Sequence, residues 1–165
     1  MRYAGLIKND ISAAPGISVS FFVQGCPHRC PGCQNPETWD FSGGKEFTPK
    51  VLDEICEALT ANGIKRNFCL MGGEPLCQEN AFLSRLIVNT VKEKNPEIPI
   101  YIWSGDTFDN LIAKQDKNVI EVLKKADYLI DGPYIEALRD VTLKMRGSSN
   151  QSVINLTEQR KNGII

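Results

Sequence analysis

The sequence has no charge excess of either sign: 19 Lys and Arg stand against 20 Asp and Glu in 165 residues, a net charge of −1. A chain without a basic surplus has little to offer a polyphosphate backbone, which argues against a nucleic-acid partner. It also lacks any apolar run of about 18 residues, the length a membrane-spanning helix requires. Its first 16 residues, MRYAGLIKNDISAAPG, carry Lys8 and Asp10 inside the stretch a secretory signal would need apolar. The expected setting is therefore cytoplasmic, with no membrane contact. Internal repeats, low-complexity tracts and long linkers are missing too, and at a norm of roughly 100 to 200 residues per domain the chain predicts a single domain over 1–165. With 42% hydrophobic residues it can bury a core without disulfide staples.

Cysteine is not scarce. Six cysteines in a chain that is not exported serve better as metal ligands, catalytic thiols or small core residues than as disulfides, because the cytosol keeps thiols reduced.

Hydrophobic periodicity predicts an α/β fold. Ile17 to Val23 (ISVSFFV) is uncharged and rich in β-branched and aromatic residues, as a buried strand is, and it ends at Gly25. Thr48 and Pro49 read as N-cap and first helical residue, with Phe47 stapling onto Leu52. Leu52, Ile55, Cys56 and Leu59 then give one apolar face until Asn62-Gly63 stops the helix. Phe68-Cys69-Leu70-Met71 is apolar on both faces, the pattern of a central parallel strand. Phe82, Leu83, Leu86, Ile87 and Val91 predict a second helix, and Ile98 to Trp103 a third strand. Further helical packing at 108–123 leads to a short strand at Tyr128-Leu129-Ile130, closed by Asp131-Gly132-Pro133. From about residue 139 the chain reads as a polar segment with one short strand near Val153 to Asn155. Strands alternating with helices imply crossovers in a mainly parallel sheet. A closed eight-fold barrel needs about 250 residues, so an open or partial (β/α) barrel is the expectation.

Two motifs fall at strand ends. Cys26, Cys30 and Cys33 stand in GCPHRCPGC, a CxxxCxxC spacing directly after the first predicted strand. A cubane iron-sulfur cluster usually takes one cysteine per iron, so a loop offering three leaves one iron open to another ligand. Structural zinc is the alternative, with His28 or a distant cysteine as fourth ligand, and a redox thiol is a further one. Gly72-Gly73-Glu74-Pro75 ends the next strand. Ligands of parallel sheets bind at the carboxyl ends of strands, so the two motifs share one edge. Two glycines expose backbone there, and Glu74 offers an acceptor suited to an ammonium group.

Together FVQGCPHRCPGCQNPETWD, LMGGEPL, YIWSG, LIDGPYIE and MRGSSNQ resemble the radical S-adenosylmethionine enzymes, and within them the glycyl-radical activases of the anaerobic ribonucleotide reductase type, over nearly the whole chain. Many members of the wider superfamily carry an aromatic residue just before the third cysteine, where this chain has Gly32, as the reductase activases do. The resemblance implies a [4Fe-4S] cluster on Cys26, Cys30 and Cys33, placed with its cofactor at the carboxyl ends of the strands. The open iron would bind the amino and carboxylate groups of S-adenosyl-L-methionine, with Gly32, Cys33, Gln34, Gly72, Gly73 and Glu74 around the cofactor. Reductive cleavage would give a 5'-deoxyadenosyl radical that takes a hydrogen atom from a glycine of anaerobic ribonucleoside-triphosphate reductase. The implied partners are that reductase and a low-potential electron donor such as flavodoxin or ferredoxin. No catalytic side chain is assigned, since the chemistry is the cofactor's. An activase of formate-lyase type and a non-catalytic zinc module are the alternatives.

Other residues are read more plainly. Asn35-Pro36 begins a short helix that orients the cysteine loop, and Trp39 shields the cluster or joins the core. Cys56 and Cys69 are small buried residues, and Cys77 is non-ligating. Arg146 and the residues after it bind a carboxylate or a partner, or form a solvated loop. The strand end at Trp103, Ser104 and Gly105 shares the edge with both motifs.

Overall fold

The apolar stretches become strands and helices close to where periodicity places them in the computed structural model, which describes residues 1–165. In chain order the elements are β1 (Arg2–Asp10), β2 (Ser18–Val23), β3 (Lys45–Glu46), α1 (Pro49–Thr60), β4 (Asn67–Gly72) and α2 (Ala81–Lys94). There follow β5 (Ile100–Trp103), α3 (Phe108–Ala113), α4 (Lys117–Lys125), β6 (Tyr128–Asp131), β7 (Ser152–Asn155) and α5 (Leu156–Lys161). One seven-stranded sheet runs in the order β3-β1-β2-β4-β5-β6-β7. Its centre, β2-β4-β5-β6, is parallel, while β1 pairs antiparallel with β2 and β3, and β7 antiparallel with β6. The class is α/β as expected; the sheet is mixed rather than mainly parallel, and it is open, with β3 and β7 as its two edges.

Alternation along the strands divides the sheet into two faces. Phe68 and Leu70 of β4, Phe21 of β2, Ile100 and Ile102 of β5 and Leu129 of β6 pack against the helices in a cluster of 26 buried residues. Cys69 and Tyr101 point the other way, into a small group with Ala14 and Ile130 that Met71, Trp103 and Met145 flank. Helices thus cover one face, and residues 11–16 with the C-terminal segment cover the other. Being apolar on both faces is what β4 needs at the centre of this arrangement.

Helix boundaries follow local chemistry. Thr48 is extended with Pro49 at the first helical position, and α1 ends where Asn62 and Gly63 take left-handed φ of 58° and 70°. Asp116 caps α4 by accepting from the amides of Asn118 and Val119 at 2.8 and 3.1 Å. Phe82, predicted on the core face of α2, is instead 48% exposed beneath the Arg85 guanidinium, 5.3 Å from the ring centroid.

Two regions depart from the sequence reading. Residues Arg2–Asp10, where no strand is expected, form the long strand β1, and the segment beyond residue 139 is ordered by hydrogen bonds instead of lying as a polar tail. Arg139 bridges Ser148, the amide of Ser149 donates to Leu138, and β7 then returns to the sheet.

Candidate metal centre

Because β2, β4, β5 and β6 are parallel, the cysteine loop, the Gly-Gly-Glu-Pro turn, Ser104-Gly105 and the 132–136 turn all emerge at one edge. The base of the cysteine loop is firmly held. Gln24, only 3% exposed, donates through Nε2 to the carbonyls of Glu37 and Asp40. The amides of Gly25 and Cys26 donate to Thr38 and Trp39, closing the loop on its own return. Gly25, at φ 99°, is where the ring of Phe41 fills the space a side chain would need. The short helical turn Pro36–Thr38 follows Asn35 as expected, although Asn35 gives it no side-chain cap.

Cys26, Cys30 and Cys33 are free and half-buried, whereas Cys56, Cys69 and Cys77 are free and buried. Burial raises the Cys69 thiol to about 11 and the Cys77 thiol to about 12, and Cys77 is occupied with the carbonyl of Glu74 at 3.2 Å. Neither is placed as a ligand. Burial also lifts Cys26 above its ordinary value, partly offset by the amides of His28 and Arg29. The amide of Asn35 donates to Cys33 Sγ at 3.4 Å, the type of contact that stabilises a ligating thiolate.

Tetrahedral zinc and iron-sulfur clusters both bind cysteine thiolates. No three His, Cys, Asp or Glu side chains gather around a single ion position, and His28 is committed to Glu74 at 3.0 Å. Tetrahedral zinc takes four ligands within about 2.0 to 2.3 Å of one point, and the loop offers three thiols with its one imidazole already engaged. Three free thiols on one loop suit the chemistry of a cluster that takes one thiolate per iron.

Glu74 is the most heavily engaged side chain at this edge. It is 1% exposed, and its Oε1 accepts from the amide of Leu76 and the hydroxyl of Ser104, each at 2.9 Å. Its Oε2 accepts from the amide of Gly105 at 2.6 Å and faces His28 Nε2 at 3.0 Å. The hydrogen bond to Glu74 raises the His28 pKa against the opposing effect of burial, favouring the imidazolium. The carboxylate expected to meet an ammonium group therefore has four partners within the protein. Gly72 and Gly73, half-buried, continue the β2–β4 pairing: the amides of Gly73 and Glu74 donate to Val23 and Gly25. A Cβ on Gly72 would stand 2.7 Å from the Phe22 Cα, and one on Gly73 would strike the Gly25 carbonyl.

Beside the cysteine loop, on the helix-free face, lies a cavity of about 500 Å3 bordered by Cys33, Gln34, Met71, Trp103, Tyr134 and Arg146. The C-terminal segment forms its far wall. Gln151 Oε1 accepts from the amides of Gly147 and Ser148, and its Nε2 donates to Gly132. Asn150 donates to Pro133, Ser148 accepts from the Ile135 amide, and Trp103 Nε1 donates to Met145. The Met-Arg-Gly-Ser-Ser-Asn-Gln stretch is thus a strap that fixes the turn bearing Tyr134 and Glu136. Those two side chains occupy the space beside Gly32: a Cβ there would lie 3.3 Å from the Tyr134 ring and would clash with the Glu136 carboxylate. Arg146 donates to the Gln151 carbonyl at 3.0 Å, while its buried Nε has no partner.

One anchoring residue escapes sequence reading. Asn80, 5% exposed, donates through Nδ2 to the carbonyls of Gln24, Gly25 and Glu74 at 3.0–3.1 Å, joining the two motifs from behind. Its only sequence signal is its place just before α2, which suggests no more than a cap.

Comparison with known proteins supplies the family. A family model described as a 4Fe-4S single cluster domain matches residues 13–154. The chain is 36% identical over 157 residues to an anaerobic ribonucleoside-triphosphate reductase-activating protein of Escherichia coli K12, covering 94% of this chain and 99% of that one. The protein of the same name from Vibrio cholerae is 34% identical over 158 residues (95% and 99%). That of enterobacteria phage T4 is 35% identical over 158 residues (96% of each). The chain is an iron-sulfur protein of the 4Fe-4S single cluster class. Within that class it belongs to the family of anaerobic ribonucleoside-triphosphate reductase-activating proteins. No helix is long and apolar enough to cross a membrane.

Proposed function

We propose that this chain activates anaerobic ribonucleoside-triphosphate reductase by generating its glycyl radical, using a cluster held by the thiolates of Cys26, Cys30 and Cys33 and S-adenosyl-L-methionine bound in the adjoining cavity. The observation that carries this reading is the unequal placement of the six cysteines. The three of the CxxxCxxC loop are half-buried at the carboxyl edge of the parallel strands, with Cys33 bordering a cavity of about 500 Å3, while the other three are buried, Cys77 with its thiol bonded to the Glu74 carbonyl. When bound, the cluster and cofactor supply one-electron cleavage of a sulfonium and, through it, hydrogen-atom removal from the reductase glycine.

The work of this chain is placement and exclusion. Cys33 and Gln34 form the cavity wall on the loop side, and Gly32 lets Tyr134 and Glu136 close in beside them. Gly72 and Gly73 present their backbone next to Met71, with Glu74 behind them. Met71, Trp103 and Tyr134 supply apolar surface that keeps water from the reacting atoms. Residues 1–165 act as a single unit, read as a partial (β/α) barrel whose missing side is closed by the segment from about 139. The electron comes from a low-potential donor of flavodoxin or ferredoxin type.

The test is direct. Anaerobic incubation of the loaded protein with the reductase, S-adenosylmethionine and a reductant is expected to give the glycyl radical signal on the reductase, and Cys30→Ala to abolish it. Normal activation by Cys30→Ala, or a signal only on a formate-lyase type partner, contradicts the proposal.

A further inference from the structure

We infer that His28 is a positioning residue: through Glu74 it ties the cysteine loop to the ends of β4 and β5 and so sets where Cys26 and Cys30 stand relative to the cofactor cavity. This deepens the function proposed above and rests on it.

Between Cys26 and Cys33 the loop is poorly secured. Pro27, Arg29, Pro31 and Gly32 are exposed, and Arg29 and Gly32 take left-handed φ of 48° and 76°. The only side-chain hydrogen bond that leaves residues 26–33 for a position beyond residue 35 is that of His28 with Glu74. Its acceptor is a fixed point. A carboxylate at 1% exposure is tolerated only when its oxygens are paired, and Leu76, Ser104 and Gly105 already hold it from two different strand ends. The imidazole therefore binds a rigid acceptor, and that acceptor is unavailable to a ligand's ammonium group.

A steric observation points the same way independently. A Cβ built on Gly105 would stand 2.6 Å from Cδ2 of His28 and 2.9 Å from its Nε2. Gly105 is not in the left-handed region, so its lack of a side chain is explained by the ring lying against it. His28 is thus seated by a hydrogen bond on one side and by an empty Cβ position on the other. Since an ångström of misplacement between reacting groups can cost about 100-fold in rate, a ligand loop seated in this way matters to the reaction as well as to the fold.

The experiment uses the full chain reconstituted anaerobically, with iron and sulfide content measured first. The electron paramagnetic resonance spectrum of the reduced cluster is then followed across a series of S-adenosylmethionine concentrations. His28→Ala and Gly105→Ala are each expected to keep iron yet to need about tenfold or more cofactor for the half-maximal spectral change. His28→Gln, whose amide can still donate to Glu74, is expected to recover most of the wild-type response. In the double variant His28→Ala/Gly105→Ala the second change should add nothing, because the methyl then meets no ring. A wild-type response from His28→Ala, or a full additional effect of Gly105→Ala on top of it, overturns the inference. Should His28→Ala lose its iron, Gly105→Ala and His28→Gln carry the test alone, and a shift in the second but not the first overturns it. A wild-type cluster that ignores the cofactor is a different failure, that of the proposed function.

Discussion

At the scale of residues, six thiols of one chemical type are divided into two sets by burial. In the reduced, metal-free protein at about pH 8, iodoacetamide should modify Cys26, Cys30 and Cys33 and spare Cys56, Cys69 and Cys77, read by peptide mass spectrometry. The thiols at about 11 and about 12, Cys69 and Cys77, carry almost no thiolate there. Rapid modification of Cys77 would contradict this division. Asp10 gives a second prediction. Burial works to raise its pKa, but Ser20 Oγ at 2.6 Å and the hydroxyl and amide of Ser12 at 2.7 and 2.8 Å outweigh it and hold the carboxyl below its ordinary value. A depressed carboxyl contributes stability that is complete above its unfolded value of about 3.9 and is lost as pH falls through the lower folded value. Asp10→Asn should therefore lose less stability than the wild type between about pH 5 and pH 2 in urea unfolding. The cysteine set was legible in the sequence because its spacing is local. The engagement of Glu74 was not, since three of its four donors lie 30 or more residues away.

At the scale of elements, legibility followed burial. Strands β2, β4 and β5 are uncharged and read as strands at once, whereas β1 carries Arg2, Lys8 and Asp10 on a sheet flank where one side meets solvent. Its role is visible only through its partners, β2 and β3. The 139–151 segment was illegible for a related reason: it holds its shape with side-chain amides and hydroxyls instead of apolar periodicity. Gln151 is central to it, with bonds to Gly147, Ser148 and Gly132. Gln151→Ala removes three hydrogen bonds of roughly 1 kcal/mol each. Amide exchange across 132–151 is expected to quicken by ~10-fold or more while β4 and β5 stay protected, measured by mass spectrometry. Unchanged exchange would show that the strap is held by something else.

At the scale of the whole molecule, the sheet does two jobs with its two faces. One packs five helices into a core, and the other is left to a loop and a strap that enclose the cavity beside the cysteines. The strap explains Gly32: the space a side chain would take there belongs to Tyr134 and Glu136, brought from more than 100 residues away by the return of the chain. The cysteine loop and the strap are thus separate parts of the sequence that meet at the cavity only in the fold. The measurement that bears most directly on this account is the electron paramagnetic resonance spectrum of the anaerobically reconstituted, reduced protein, with and without S-adenosylmethionine, alongside metal and sulfide analysis. The account predicts four irons and four sulfides per chain and a cubane signal that changes when the cofactor is added. Bound zinc, or a cluster signal indifferent to the cofactor, would contradict it.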